Sequence, residues 1–136
     1  MSESLIKSEI RKRLSSLGIV IWQQATGHGM TESGSQISFG LCRGSSDLIG
    51  IRKSDGKFVA VECKTPSGYR KHCAALERAM AKNESSRILP NRNEHALNTE
   101  ERRAFEQHTF VALVWLSNGL AGFATSADEA ERIVTR

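Results

Sequence analysis

The chain has no apolar run approaching the roughly 20 residues that cross a bilayer, so no membrane span is expected. Its N-terminus lacks the charged-then-apolar pattern of a secretory signal. No internal repeat and no low-complexity tract is present, which leaves repeat arrays and compositionally disordered segments aside. Cysteine is scarce: Cys42, Cys63 and Cys73 are odd in number and form no Cys-x-x-Cys pair. That argues against a paired disulfide framework and for reduced thiols in a cytosol. With His72 the three offer soft ligands, but their spacings fit no familiar zinc pattern, and His72-Cys73 adjacency suits a tetrahedron poorly.

What is present is an ordinary globular composition over 136 residues, enough for one domain with a single core. A net charge of +4 is compatible with a polyanionic partner without demanding one.

The most informative stretch is Ser46 to Lys64 (SDLIGIRKSDGKFVAVECK). It reads as a strand from Asp47 to Ile51, a turn from Ser54 to Lys57 with Asp55-Gly56 at its tip, and a strand from Phe58 to Lys64. If Ser54 faces Lys57, Ile49 faces Glu62 and Asp47 faces Lys64. Side chains alternate along a strand, so Asp47, Glu62 and Lys64 share one face and one end. Glu62 and Lys64 interrupt an otherwise apolar strand, and burying them is costly without partners. A divalent cation between the carboxylates supplies the missing charge. The three residues by themselves read equally well as an ordinary cross-strand ion pair.

Around the hairpin, Leu5, Ile6, Ile10, Leu14 and Leu17 predict an amphipathic helix over 3–17, capped by Ser2 or Ser4 and ended by Gly18. Its polar face carries Lys7, Arg11, Lys12 and Arg13. A short buried strand is expected over 18–22 and a Gly/Ser-rich loop, holding His28, over 27–40. Tyr69, Cys73, Leu76 and Met80 predict a helix over 69–83, followed by a loop over 85–97. Asn98 with Glu101 opens a further helix whose apolar stripe is Ala104, Phe105, His108, Val111, Ala112, Trp115 and Leu116. Leu120 to Ala124 reads as a last strand, and Ser126 with Glu129 opens a C-terminal helix to about Val134.

Gly44-Ser45-Ser46-Asp47-Leu48-Ile49-Gly50 followed by Val61-Glu62-Cys63-Lys64-Thr65-Pro66 resembles the virus-type replication-repair nuclease (VRR-NUC) family of the PD-(D/E)xK nuclease superfamily. Supporting pieces are Trp22-Gln23-Gln24-Ala25-Thr26-Gly27, Thr99 to Phe105 and Asn118 to Phe123. Ser46 stands where that family often has proline, and the family's helix glutamine aligns with Arg102. The resemblance covers 3–66 and 98–134, and leaves 67–97 as an inserted segment.

The resemblance implies an α/β fold with a restriction-endonuclease-like core, a small mixed sheet flanked by helices. It implies a Mg²⁺- or Mn²⁺-dependent endonuclease, with Asp47, Glu62 and the Cys63 backbone carbonyl as ligands. Glu3 or Glu9 is the candidate for a further acidic ligand. Lys64 then orients or deprotonates the water and stabilises the pentavalent phosphate. Neighbouring carboxylates keep it charged, which favours the electrostatic role. The expected partner is branched DNA, a four-way junction or a flap, engaged by a homodimer in the cytoplasm of a bacterium or a phage-infected one. Arg43, Ser45, Arg70, Lys71 and Arg102 are the candidate nucleic-acid contacts. Two alternatives stand beside this: a catalytically silent nucleic-acid-binding module of the same fold, and a sequence-specific restriction-like enzyme whose target-reading elements lie in 67–97.

Overall fold

A computed structural model describes residues 1–25, 27–30, 32–39, 41–88 and 97–136; for 27–30, 36–39 and 84–88 the backbone alone is described. The first helix, α1 (Glu3–Ser16), starts where Ser2 Oγ accepts from the Leu5 N–H at 3.2 Å and buries Ile6, Ile10 and Leu14. Strand β1 (Ile19–Gln23) follows directly. Next comes a hairpin of β2 (Gly27–Met30) and β3 (Gln36–Phe39), where the sequence suggests only a loop. Glycine and serine are poor strand formers, so this pairing carries little local signal. His28 lies on β2, and its side chain is outside the described residues.

The main sheet runs β1-β4-β5-β6, with β4 (Leu48–Arg52), β5 (Phe58–Cys63) and β6 (Leu120–Ala124). The β1–β4 and β4–β5 pairs are antiparallel and β5–β6 is parallel, so the expected mixed sheet is present. One face is covered by α1 and α4 (Ala127–Val134). Ile10, Leu14, Leu48, Val59, Val61, Cys63 and Ile133 form the core there. On the other face α3 (Thr99–Leu116) lies over β5 and β6, with α2 (Pro66–Ile88) packed on α3. No helix among the described residues is long and apolar enough to cross a membrane.

The β4–β5 register differs from the expectation by two residues. Ile49 pairs with Ala60 and Leu48 with Val61, so one further step places Asp47 opposite Glu62, not Lys64. The cause is the turn. Arg52 N–H donates to the Lys57 carbonyl at 2.9 Å, closing a four-residue loop, Lys53 to Gly56. Arg52 grips Asp55 with two hydrogen bonds, at 3.0 and 2.6 Å, and Gly56 supplies a φ of +75°. A shift of two keeps every side chain on its expected face.

Both long helices bury a stripe different from the one apolar spacing suggests. On α2, His72, Ala75 and Ala79 are buried, while Tyr69, Cys73 and Met80 are exposed. This helix also runs to Ile88, so 85–88 is helical; 89–96 lie outside the described residues. On α3 the buried residues are Glu101, Ala104, Gln107 and Val114, while Trp115 and Leu116 are exposed. Glu101 closes a capping box with Asn98. It also accepts from Lys82 at 2.6 Å and pairs with Arg78 at 3.4 Å, clamping α2 to α3.

Candidate active site

Asp47 sits one residue before β4 and Lys64 one residue after β5, so both project at one end of the sheet beside Glu62. The backbone there is tied on both sides. Asp47 carbonyl O accepts from the Gln24 N–H at 2.7 Å, and Lys64 N–H donates to the Ala124 carbonyl at 3.1 Å. Asp47 Oδ2 accepts from the Cys63 N–H at 3.1 Å. In extended chain a residue's N–H and C=O point to the same side, so the Cys63 carbonyl faces Asp47 as well. Lys7 of α1 brings its Nζ to 3.6 Å from Asp47 Oδ1.

Glu62 is 3 % exposed. Its Oε1 accepts from Gln107 Nε2 at 3.2 Å, while its Oε2 is buried without a hydrogen-bond partner. Burial, then the charge of Asp47, push the Glu62 carboxyl up to about 8, against a smaller lowering by Lys64. The strand pairing sets Asp47 across from Glu62, so the two carboxyls are neighbours on one face. Desolvation and like charge oppose having both ionised unless a cation joins them. Such a pair fits a hard divalent cation, which takes carboxylate and carbonyl oxygens and keeps several waters. Two acidic side chains meet here; no group of three or more His, Cys, Asp or Glu suited to a metal occurs among the described residues.

Two participants were not legible beforehand. Gln107 of α3 reaches the Glu62 carboxyl, while Arg102 lies in a groove with Arg43. His72 on α2 is buried. Its ring lies 4.5 Å from that of Phe123 and stacks on Tyr69 at 6.1 Å. Burial, then the charges of Lys64 and His108, drop His72 to about 4.

The segment before Asp47 is held from two sides. Gln24 Nε2 donates to Ser45 Oγ at 2.7 Å and the Ser46 carbonyl at 3.3 Å, while Gln24 Oε1 accepts from the Leu41 N–H at 3.1 Å. Gly44, at φ +80°, lies so close to α3 that an added Cβ would sit 2.4 Å from the Glu106 carbonyl carbon and 2.8 Å from Gln107 N. Asp47 and Gln107 are thus positioned against each other through backbone. Ser46 is buried.

The remaining candidates are dispersed. Glu3 is exposed in the first turn of α1, near enough to the Cys63 thiol to contribute to raising it; Glu9 is exposed further along. The Cys63 side chain points to the opposite face, where burial, then the charges of Asp47 and Glu62, push its thiol up to about 12. Arg43 and Arg102 line one groove beside the start of α3, together with Arg103 and Glu106. Arg70 and Lys71 are exposed on α2.

No protein-family model matches the chain, and neither the curated proteins nor the solved structures contain a match to it.

Proposed function

We propose that the protein is a metal-dependent endonuclease acting on DNA, structure-selective for branched substrates such as four-way junctions or flaps, and working as a homodimer. The observation that carries this reading is the Asp47–Glu62 pair: two carboxyls side by side, one with a buried oxygen lacking any partner, next to Lys64. A buried carboxyl oxygen without a partner, beside a second carboxyl, suits a hard cation, with an amine alongside for a phosphate.

Asp47, Glu62 and the Cys63 carbonyl are the residues that would hold Mg²⁺ or Mn²⁺. Bound there, the ion supplies Lewis acidity toward a phosphoryl oxygen and a more acidic water. The chain's own groups do the rest. Gln107 holds one Glu62 oxygen and so orients the other. Lys7 holds Asp47. Lys64 stabilises negative charge gathering on the phosphate, a task for a fixed cation near the reacting centre.

The test is cleavage of labelled junction, flap and duplex DNA with Mg²⁺ or Mn²⁺, using Asp47→Ala, Glu62→Gln and Lys64→Ala. Each variant is expected to lose at least about a hundredfold in rate. Cutting unchanged in the Asp47 and Lys64 variants would remove this site from the reaction. Metal-independent binding with no cutting of any substrate would assign the chain to the silent binding modules.

A further inference from the structure

The nuclease reading leaves open how a nucleic-acid strand reaches the carboxylates, and the outer face of α1 bears on that. A groove of about 650 Å³ runs along this helix, lined by Lys7, Arg11 and Lys12 interleaved with Ser4, Ser8 and Ser15. The described residues lining it include no carboxylate. Its floor at the sheet edge is Gln23, whose Oε1 accepts from Arg11 at 3.5 Å. Arg13, the other cation of this helix segment, is turned away and bound to Asp128 and Glu131 of α4 at 2.9 and 3.7 Å. The helix thus sorts its cations, one to a structural ion pair and three to a single concave surface.

That surface is continuous with the site. Lys7 belongs to both, being 3.6 Å from Asp47. From Ser4 to Ser15 a helix rises about 16 Å. One strand of a duplex advances about 3.4 Å along the duplex axis per phosphate, so the groove is long enough to meet more than one phosphate. Ammonium, guanidinium and hydroxyl groups are the usual partners of phosphate oxygens.

We infer that the α1 groove binds the phosphodiester backbone of a DNA strand, without regard to sequence, and leads it to the Asp47–Glu62 pair. This deepens the nuclease reading and rests on it for the direction of the strand. Binding itself is measured separately, in EDTA, where no cutting can occur.

The experiment is fluorescence anisotropy of two short duplexes of unrelated sequence across a salt series. It compares the wild type, the Arg11→Gln/Lys12→Gln double variant and Arg13→Gln, all checked for a normal unfolding midpoint. Lys7 is left intact because it also holds Asp47. The double variant is expected to bind both duplexes about tenfold more weakly, with the slope of log K against log salt reduced by about two. Arg13→Gln is expected to change affinity by less than about twofold. Equal losses in Arg13→Gln and the double variant would reduce the effect to net charge and overturn the inference. So would unchanged binding in the double variant, or a loss confined to one sequence. Binding to phosphatidylserine vesicles, abolished in the double variant while DNA binding persists, would assign the groove to a membrane surface instead. Failure of the Asp47 and Lys64 variants to affect cutting leaves the anisotropy result standing, so the two readings fail independently.

Discussion

Metal-free protein is expected to lose stability between pH 6.5 and pH 8, and Glu62 is the cause. In the unfolded chain this carboxyl ionises near 4.5; in the fold it holds its proton to about 8. The unfolded state therefore binds fewer protons from pH 4.5 upward, and the stabilisation present below 4.5 is lost as pH rises through 8. His72 acts in the opposite sense. Its ordinary value of 6.5 falls to about 4, so its contribution is full above 6.5 and is lost as pH falls through 4. Between 4.5 and 6.5 the two slopes cancel. Above 6.5 only Glu62 remains, over one and a half pH units at about 1.36 kcal/mol each, or about 2 kcal/mol. Against a total of about 5–15 kcal/mol this is large, and for a chain of this length it lowers the melting temperature by about 7 °C. The assay is urea unfolding in EDTA at pH 6.5 and 8, wild type against Glu62→Gln. The wild type should fall by about 2 kcal/mol relative to the variant, and Mn²⁺ should abolish the difference in slope. Parallel pH profiles for the two proteins would refute the placement of the carboxyls against each other.

Two further outcomes test the packing around the site. Gly44→Ala is expected to destabilise by about 2–4 kcal/mol in urea unfolding, since the new methyl meets α3 backbone and the φ of +80° disfavours it. An ordinary surface Gly→Ala effect would show that the Asp47 segment does not rest on α3. In native protein, iodoacetamide should label the exposed Cys42 and Cys73 while sparing the buried Cys63, as read by mass spectrometry, with Cys63 reacting only after unfolding. Labelling of Cys63 at a comparable rate would mean that β5 is not covered by α1 and α4.

Why some of this was legible and some was not follows from particular residues. Caps are local, so Ser2, Asn98 with Glu101, and Ser126 mark helix starts that the structure reproduces. Strand alternation is also local, which is why Asp47 and Glu62 were placed on one face. Register is not local, because it depends on how a turn closes, and the Arg52–Asp55 pair closes this one two residues wider. The buried stripes of α2 and α3 are hidden for a different reason. They contain His72, Glu101 and Gln107, polar residues that break an apolar period. A search for hydrophobic spacing therefore lands about one position round the helix, on Tyr69, Cys73, Trp115 and Leu116. Polar residues at helical spacing with an otherwise small-residue stripe, such as His72-Ala75-Ala79, are the signal that was available.

By itself the sequence determined the local order: capped helix starts, strand faces, and an acidic pair with an amine gathered at one end of a hairpin. Only the tertiary structure decided which acid stands opposite which, and which α3 residue meets them. It also decided that three cations of α1 face one groove while the fourth is tied to α4. The physical reason is range. Caps and alternation act over a few residues and are written in the chain locally. The distance between Asp47, Gln107 and Lys7 is set by how separate elements pack, and by a glycine small enough to let one backbone rest on another.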